Sequence, residues 1–167
     1  MNNERLQQIE ENLGLLREQQ VALEKEAILQ TGLAKIQALQ RLKIDVKLPI
    51  KNFEEEYWQI LSQQSESIDI SEQEAKVVVA EIVQEVNSIE LNEPIYPDEI
   101  MMLLQEIRDR LNQPDTTAAA KLKGVISFFP PILGLSYEAE LDTGNFLNKH
   151  FPTFTNFIKK AIKKNIP

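Results

Sequence analysis

Histidine and cysteine do much of protein chemistry, and this 167-residue chain has one histidine and no cysteine. The missing thiols remove disulfides, thiolate zinc sites and cysteine nucleophiles together. His150 precedes Phe151-Pro152 and has no acidic neighbour in sequence. A catalytic base needs an orienting partner and something to deprotonate, so His150 reads as a helix-end or core residue. The run Glu54-Glu55-Glu56 offers three carboxylates. Successive helix positions point about 100° apart, so the three cannot converge on one ion. They read as the solvated first turn of a helix, favoured by its dipole, and Glu10-Glu11 reads the same way. Glu138 and Glu140 are different, because on a strand they would share a face. Like charges there repel unless solvated or paired, so that face is expected to meet solvent or a partner. Thr31-Gly32-Leu33-Ala34-Lys35 is the string nearest to a phosphate loop, and it lacks the glycine framework. No G-x-S-x-G or H-E-x-x-H string occurs. The expectation is a protein that is not an enzyme, with no catalytic residue, metal, cofactor or small-molecule substrate.

Charge narrows the partners. The net charge is -8. Residues 46–113 hold five Lys/Arg against 15 Asp/Glu, while residues 114–167 hold seven against four. An acidic middle argues against nucleic acid, since phosphate contacts need clustered cations. The opening MNNERLQQIEENL is charged and lacks the apolar run of a signal peptide, which fits a cytoplasmic protein. The apolar stretch Gly124–Tyr137 is too short to span a bilayer as one helix, which takes about 20 residues.

Residues 3–30 read as a long helix. Leu6, Ile9, Leu13, Leu16 and Leu23 recur at coiled-coil spacing. The stripe then changes face near Thr31-Gly32, where the helix either breaks into a hairpin or continues with a rotated contact face. The cost of a helical glycine favours the break. In LKIDVKLP, residues 42–49, Ile44, Val46 and Leu48 alternate as on a short strand ended by Pro49. Asn52 is placed to cap the next helix, with Phe53, Tyr57, Ile60 and Leu61 inside. Ser71 and Glu74 form a capping box for a helix over about 72–87. Pro97 and Asp98 open another to about Leu111. Residues 117–129 read as a helix stopped by Pro130-Pro131. LSYEAEL, residues 135–141, alternates cleanly as a strand that could pair with 44–48. Pro152 and Thr153 open a last helix with Phe154, Phe157, Ile158, Ala161 and Ile162 on one side and lysines on the other. Phe128, Phe129, Tyr137, Phe146, Phe151, Phe154 and Phe157 are read mainly as core.

Two stretches resemble a known context. LLREQQVALEKEAILQTGLAKIQALQRL, residues 15–42, resembles helical segments found beside effector and nucleotide-binding NACHT-type modules of cyanobacterial conflict systems. Residues 118–160 resemble a module recurring in the same multidomain proteins, through Lys121-Leu122-Lys123, Pro130-Pro131, Tyr137-Glu138-Ala139-Glu140-Leu141-Asp142 and Phe151-Pro152-Thr153-Phe154. The resemblance implies a death-domain-like or effector-associated adaptor working through homotypic or heterotypic contacts. The chain carries no nucleotide-binding, TIR or caspase-like unit, so no catalytic residue carries over.

The sequence therefore predicts a mainly α protein with a long coiled-coil-like N-terminal helix, a helical body and a small β element near 42–48 and 135–142. Its segments are 1–45, an acidic 46–113, and an aromatic-rich α+β module over 114–167. The expected function is protein–protein interaction or self-association, through Leu6, Ile9, Leu13, Leu16, Leu23, Glu138 and Glu140. The second reading is a membrane-active or membrane-attached protein, using the 124–137 run and the basic last helix.

Overall fold

The computed structural model describes residues 2–92, 96–139, 147 and 149–164, and among these there is no strand. The helices are α1 (Asn2–Leu29), α2 (Gly32–Arg41), α3 (Leu48–Gln64), α4 (Glu72–Leu91), α5 (Asp98–Leu111), α6 (Ala118–Val125), α7 (Phe129–Glu138) and α8 (Pro152–Lys164). A π-helical turn, Leu42–Lys47, joins α2 to α3, and a 3-10 turn, Ile126–Phe128, joins α6 to α7. The chain forms two compact units, Met1–Tyr57 and Trp58–Pro167, and the division falls within α3. The charge step at 45/46 thus lies inside the π turn, and the 112–117 turn lies within the second unit.

The first unit is a helical hairpin. The Gln30 N–H donates to the Glu26 carbonyl at 3.0 Å. Thr31 is then extended, and Gly32 takes a φ of +61°, a left-handed value that suits glycine. This is the break at Thr31-Gly32, and it turns α2 back onto α1. Leu23 packs with Leu42, Val46 and Ile50, and Leu13 and Leu16 pack against that cluster. The expected strand at 42–48 is a π turn instead. Alternation misled because residues two apart in a helix point to nearly opposite sides. Val46 is accordingly buried while Ile44 and Leu48 face out.

Pro49 supplies the physical reason for the π turn. A proline inside a helix lacks an N–H and crowds the carbonyl of residue i−4. The widened turn just before it relieves that crowding. The Leu48 N–H donates to the Lys43 carbonyl, the i to i−5 bond of a π turn. Underwinding also keeps Ala38, Leu42, Val46 and Ile50, each four residues apart, on one buried line. Asn52 therefore lies inside a helix and caps nothing.

The second unit packs α4, α5 and α6 on one another, with α7 against α5 and α8 against α4. Val78, Ile82 and Val86 of α4, Leu104 and Ile107 of α5, and Leu122 of α6 are all buried. Burial of this broad stripe holds the β-branched α4 in a helix despite its propensity. Ser71 occupies the N-cap position of α4, but its side chain makes no capping bond. Glu72 instead reaches α6. Its carboxylate accepts from the Ala118 N–H at 2.7 Å and the Ala119 N–H at 3.1 Å, which holds its pKa below the ordinary glutamate value. The Thr117 hydroxyl accepts from the Ala120 N–H at 3.2 Å. The local Thr117 cap and the sequence-distant Glu72 thus together satisfy the free amides that open α6.

Pro130-Pro131 does not stop a helix; the pair lies in the first turn of α7. Missing N–H groups are harmless there, because first-turn amides have no helical partner. The expected strand over 135–141 is helical through Glu138, with Ala139 in a turn. Glu140, Leu141 and Asp142 lie outside the described residues, as do Phe146 and the ring of Tyr137. The Ala139 N–H donates to the Leu135 carbonyl at 3.0 Å, the local bond of a helix end. With α7 opened by two prolines and packed through Ile132 and Leu133, helical burial overrides the alternation of LSYEAEL.

Candidate functional site

The leucine seam is filled within the chain. Leu6, Ile9 and Leu23 are buried, and Leu13 and Leu16 are partly buried against the hairpin cluster. A partner helix on Leu13, Leu16 and Leu23 would have to displace the π turn and the start of α3. Glu138 is exposed at the end of α7, whereas Glu140 lies outside the described residues.

The three glutamates are not a solvated first turn. Glu54 is buried and ion-paired with Arg17. Glu56 accepts from Arg5 Nε at 2.6 Å and from its Nη2 at 2.8 Å, and that bidentate contact lowers its pKa. Glu55 pairs with Lys51 one turn away, at 3.8 Å. Tyr57 Oη donates to Glu10 at 3.1 Å; burial, then the Glu10 charge, raises the phenol pKa. These contacts tie α3 to α1 inside the first unit. Glu54 and Glu56 reach different arginines of α1, and no group of three or more metal-ligating side chains occurs among the described residues.

His150 has partners that its sequence neighbourhood hides. Its Nδ1 lies 2.7 Å from Glu85 Oε1 and its Nε2 lies 2.5 Å from Tyr96 Oη. A carboxylate only accepts, so the neutral ring donates from Nδ1 and its Nε2 accepts the tyrosine proton. Burial, then the charge of Glu85, raises the Tyr96 pKa and keeps the phenol protonated. This is the base-and-orienter half of a catalytic constellation, joined to a poor nucleophile. It fastens the residue before α8 to α4 and to the approach to α5. His150→Ala is expected to cost about 1 kcal/mol, the net loss of its hydrogen bonds, since Glu85 at 34% exposure and a partly buried Tyr96 can regain water. Urea unfolding measures it, and a cost below about 0.5 kcal/mol would remove the chain from the list of structural ties.

Several of the apolar residues named for membrane contact are buried, while Phe128, Leu135 and Phe157 are partly exposed. The helical run Ala118–Ser136 spans 19 residues and is apolar enough to cross a bilayer by length and composition, so the relevant stretch is longer than 124–137 alone. Yet Leu122, Val125, Ile126, Phe129, Ile132 and Leu133 are buried in the second unit. Along α8, Phe154, Ile158 and Ala161 are buried as well. Phe129 is the centre of an aromatic cluster, with Trp58 at 4.9 Å, Phe154 at 5.0 Å and Phe151 at 6.2 Å between ring centroids.

Among the described residues, the open surfaces include these two. One is a groove of about 780 Å³ along α4, lined by Val79, Val83 and Leu91 among lysines and asparagines. The other is the outside of the hairpin. Ile28 and Leu29 end α1 at 77% and 81% exposure, and Leu33 and Ile36 open α2 at 70% and 53%. Leu39 and Ile44 continue the exposed series. Single exposed aliphatics are ordinary on proteins, and this hairpin carries a succession of them. Sequence reasoning saw the stripe change face after Thr31-Gly32 and assigned the contact to the inner seam. The change of face is the sequence signal of the exposed outer series. Comparison of the chain with protein-family models, curated proteins and solved structures finds no match.

Proposed function

We propose that this protein acts by binding another protein through the outside of the hairpin, and that it does no covalent chemistry of its own. The supporting observation is the exposed series Ile28, Leu29, Leu33 and Ile36 around the α1–α2 turn. Removing these side chains from water on binding contributes roughly 25 cal/mol per Å² of apolar area, and nothing in the hairpin core depends on them. The adaptor role implied by the resemblance to effector-associated modules is of this kind. The membrane reading has less to work with, since several of the apolar side chains it named are buried inside the second unit.

The test compares the full chain with a Leu33→Asp, Ile36→Asp variant. Both sites are exposed, so the melting temperature is expected to stay within a few degrees. Proteins captured from cell extract by the wild type should be lost from the variant. Identical captured sets from both, or catalytic turnover that survives the substitutions, would sink the proposal.

A further inference from the structure

We infer that the outer face of α2 and the π turn receives an acidic amphipathic helix from another protein. The inference rests on the proposed binding role and names the partner's chemistry.

The face is built by the hairpin itself. Ala38, Leu42, Val46 and Ile50 form the line buried against α1, so Leu33, Ile36 and Ile44 project from the opposite side. Cations flank them. Residues 32–51 hold five Lys/Arg and one carboxylate, Asp45. Arg41 and Lys43 are exposed and Lys47 is partly so. Among the described residues none of these three has an ion pair. Elsewhere in the same unit the opposite holds: Arg5 and Arg17 are both matched to carboxylates of α3. The hairpin thus neutralises its inner cations and leaves a basic rim around an outer apolar stripe. Charge complementarity at a rim selects partners and steers encounter. An apolar stripe on a helix fits the stripe of another helix.

The width of the stripe favours a helix over a lipid surface. Gln37 and Gln40 are exposed on the same side, so the apolar part is a narrow seam. Residues 32–48 also contain no aromatic side chain. A helix lying in a membrane interface uses a broad apolar face, often anchored by Trp or Phe.

The experiment uses the full chain and two labelled synthetic peptides, followed by fluorescence anisotropy at two salt concentrations. Both are amphipathic helices with the same leucine stripe, one flanked by glutamates and the other by lysines. The glutamate peptide is expected to bind at least about tenfold tighter, with the advantage shrinking in high salt. Lys43→Glu with Lys47→Glu should reverse the preference. Ile36→Asp with Ile44→Asp should abolish binding, while circular dichroism stays unchanged. Equal binding of both peptides would overturn the acidic-partner inference. So would failure of both peptides while extract capture still depends on Ile36, and in both cases the broader binding role stands. Two other occupants would also overturn it: a dimer by light scattering that Ile36→Asp dissolves, or salt-sensitive binding to phosphatidylserine vesicles that exceeds peptide binding.

Discussion

Replacing Phe129 with alanine is expected to destabilise the second unit by about 3–5 kcal/mol, the range for truncating a buried phenylalanine. Phe129 is buried at the first position of α7 and meets three aromatic rings, Trp58 of α3 and Phe151 and Phe154 at the start of α8. Its contacts with Trp58 and Phe154 are edge-on, at interplanar angles of 71° and 60°. Such pairs add about 0.5–1.5 kcal/mol each beyond area burial. Phe129→Leu keeps most of the buried area and loses those ring contacts, so it should cost clearly less than the alanine change. Urea unfolding should show a lower midpoint at an unchanged slope. Equal losses for leucine and alanine would show that the retained aliphatic area contributes nothing, and a leucine variant as stable as the wild type would show that ring geometry contributes nothing.

Arg17→Leu is expected to cost about 2–3 kcal/mol, because it leaves the buried Glu54 carboxylate without its guanidinium. The figure sits below the full range for a broken buried pair because Arg17 is 38% exposed. Most of the loss should disappear when both charges go. Arg17→Leu with Glu54→Leu removes two desolvated charges, and buried pairs replaced by apolar residues are often neutral. The double variant should therefore recover most of the loss, giving a coupling that a double-mutant cycle measures. Arg5 and Glu56 provide the contrast. Their side chains are 41% and 38% exposed, so removing Arg5 should change stability little. If Arg5→Leu proves as damaging as Arg17→Leu, burial is not what makes the Glu54 pair matter.

The Arg17 experiment probes the framework that turns one face of the hairpin inward and the other outward. The inner face is satisfied by leucines and by the Arg17 and Arg5 pairs. The outer face, with Ile28, Leu29, Leu33 and Ile36, has no such partner in its own hairpin and so carries the proposed function.

The sequence by itself determined the helices with strong period and clear punctuation. The 3-and-4 spacing from Leu6 to Leu23 specified α1, Thr31-Gly32 its break, Ser71 the start of α4, Pro97-Asp98 that of α5, and Pro152 that of α8. Local spacing suffices there because one apolar face and one stop signal are encoded within a few turns. Tertiary structure decided the rest. Period-two alternation at 42–48 and 135–138 is equally a helix with residues on two faces, and only packing against α1 or within the second unit selects the helix. Pro49 and Pro130-Pro131 are read locally as stops, but a π turn and a first-turn position accommodate them. The partners of His150, Glu54 and Glu72 lie 37 to 65 residues away. No local pattern encodes such separations, because side chains that far apart meet only once helices have packed.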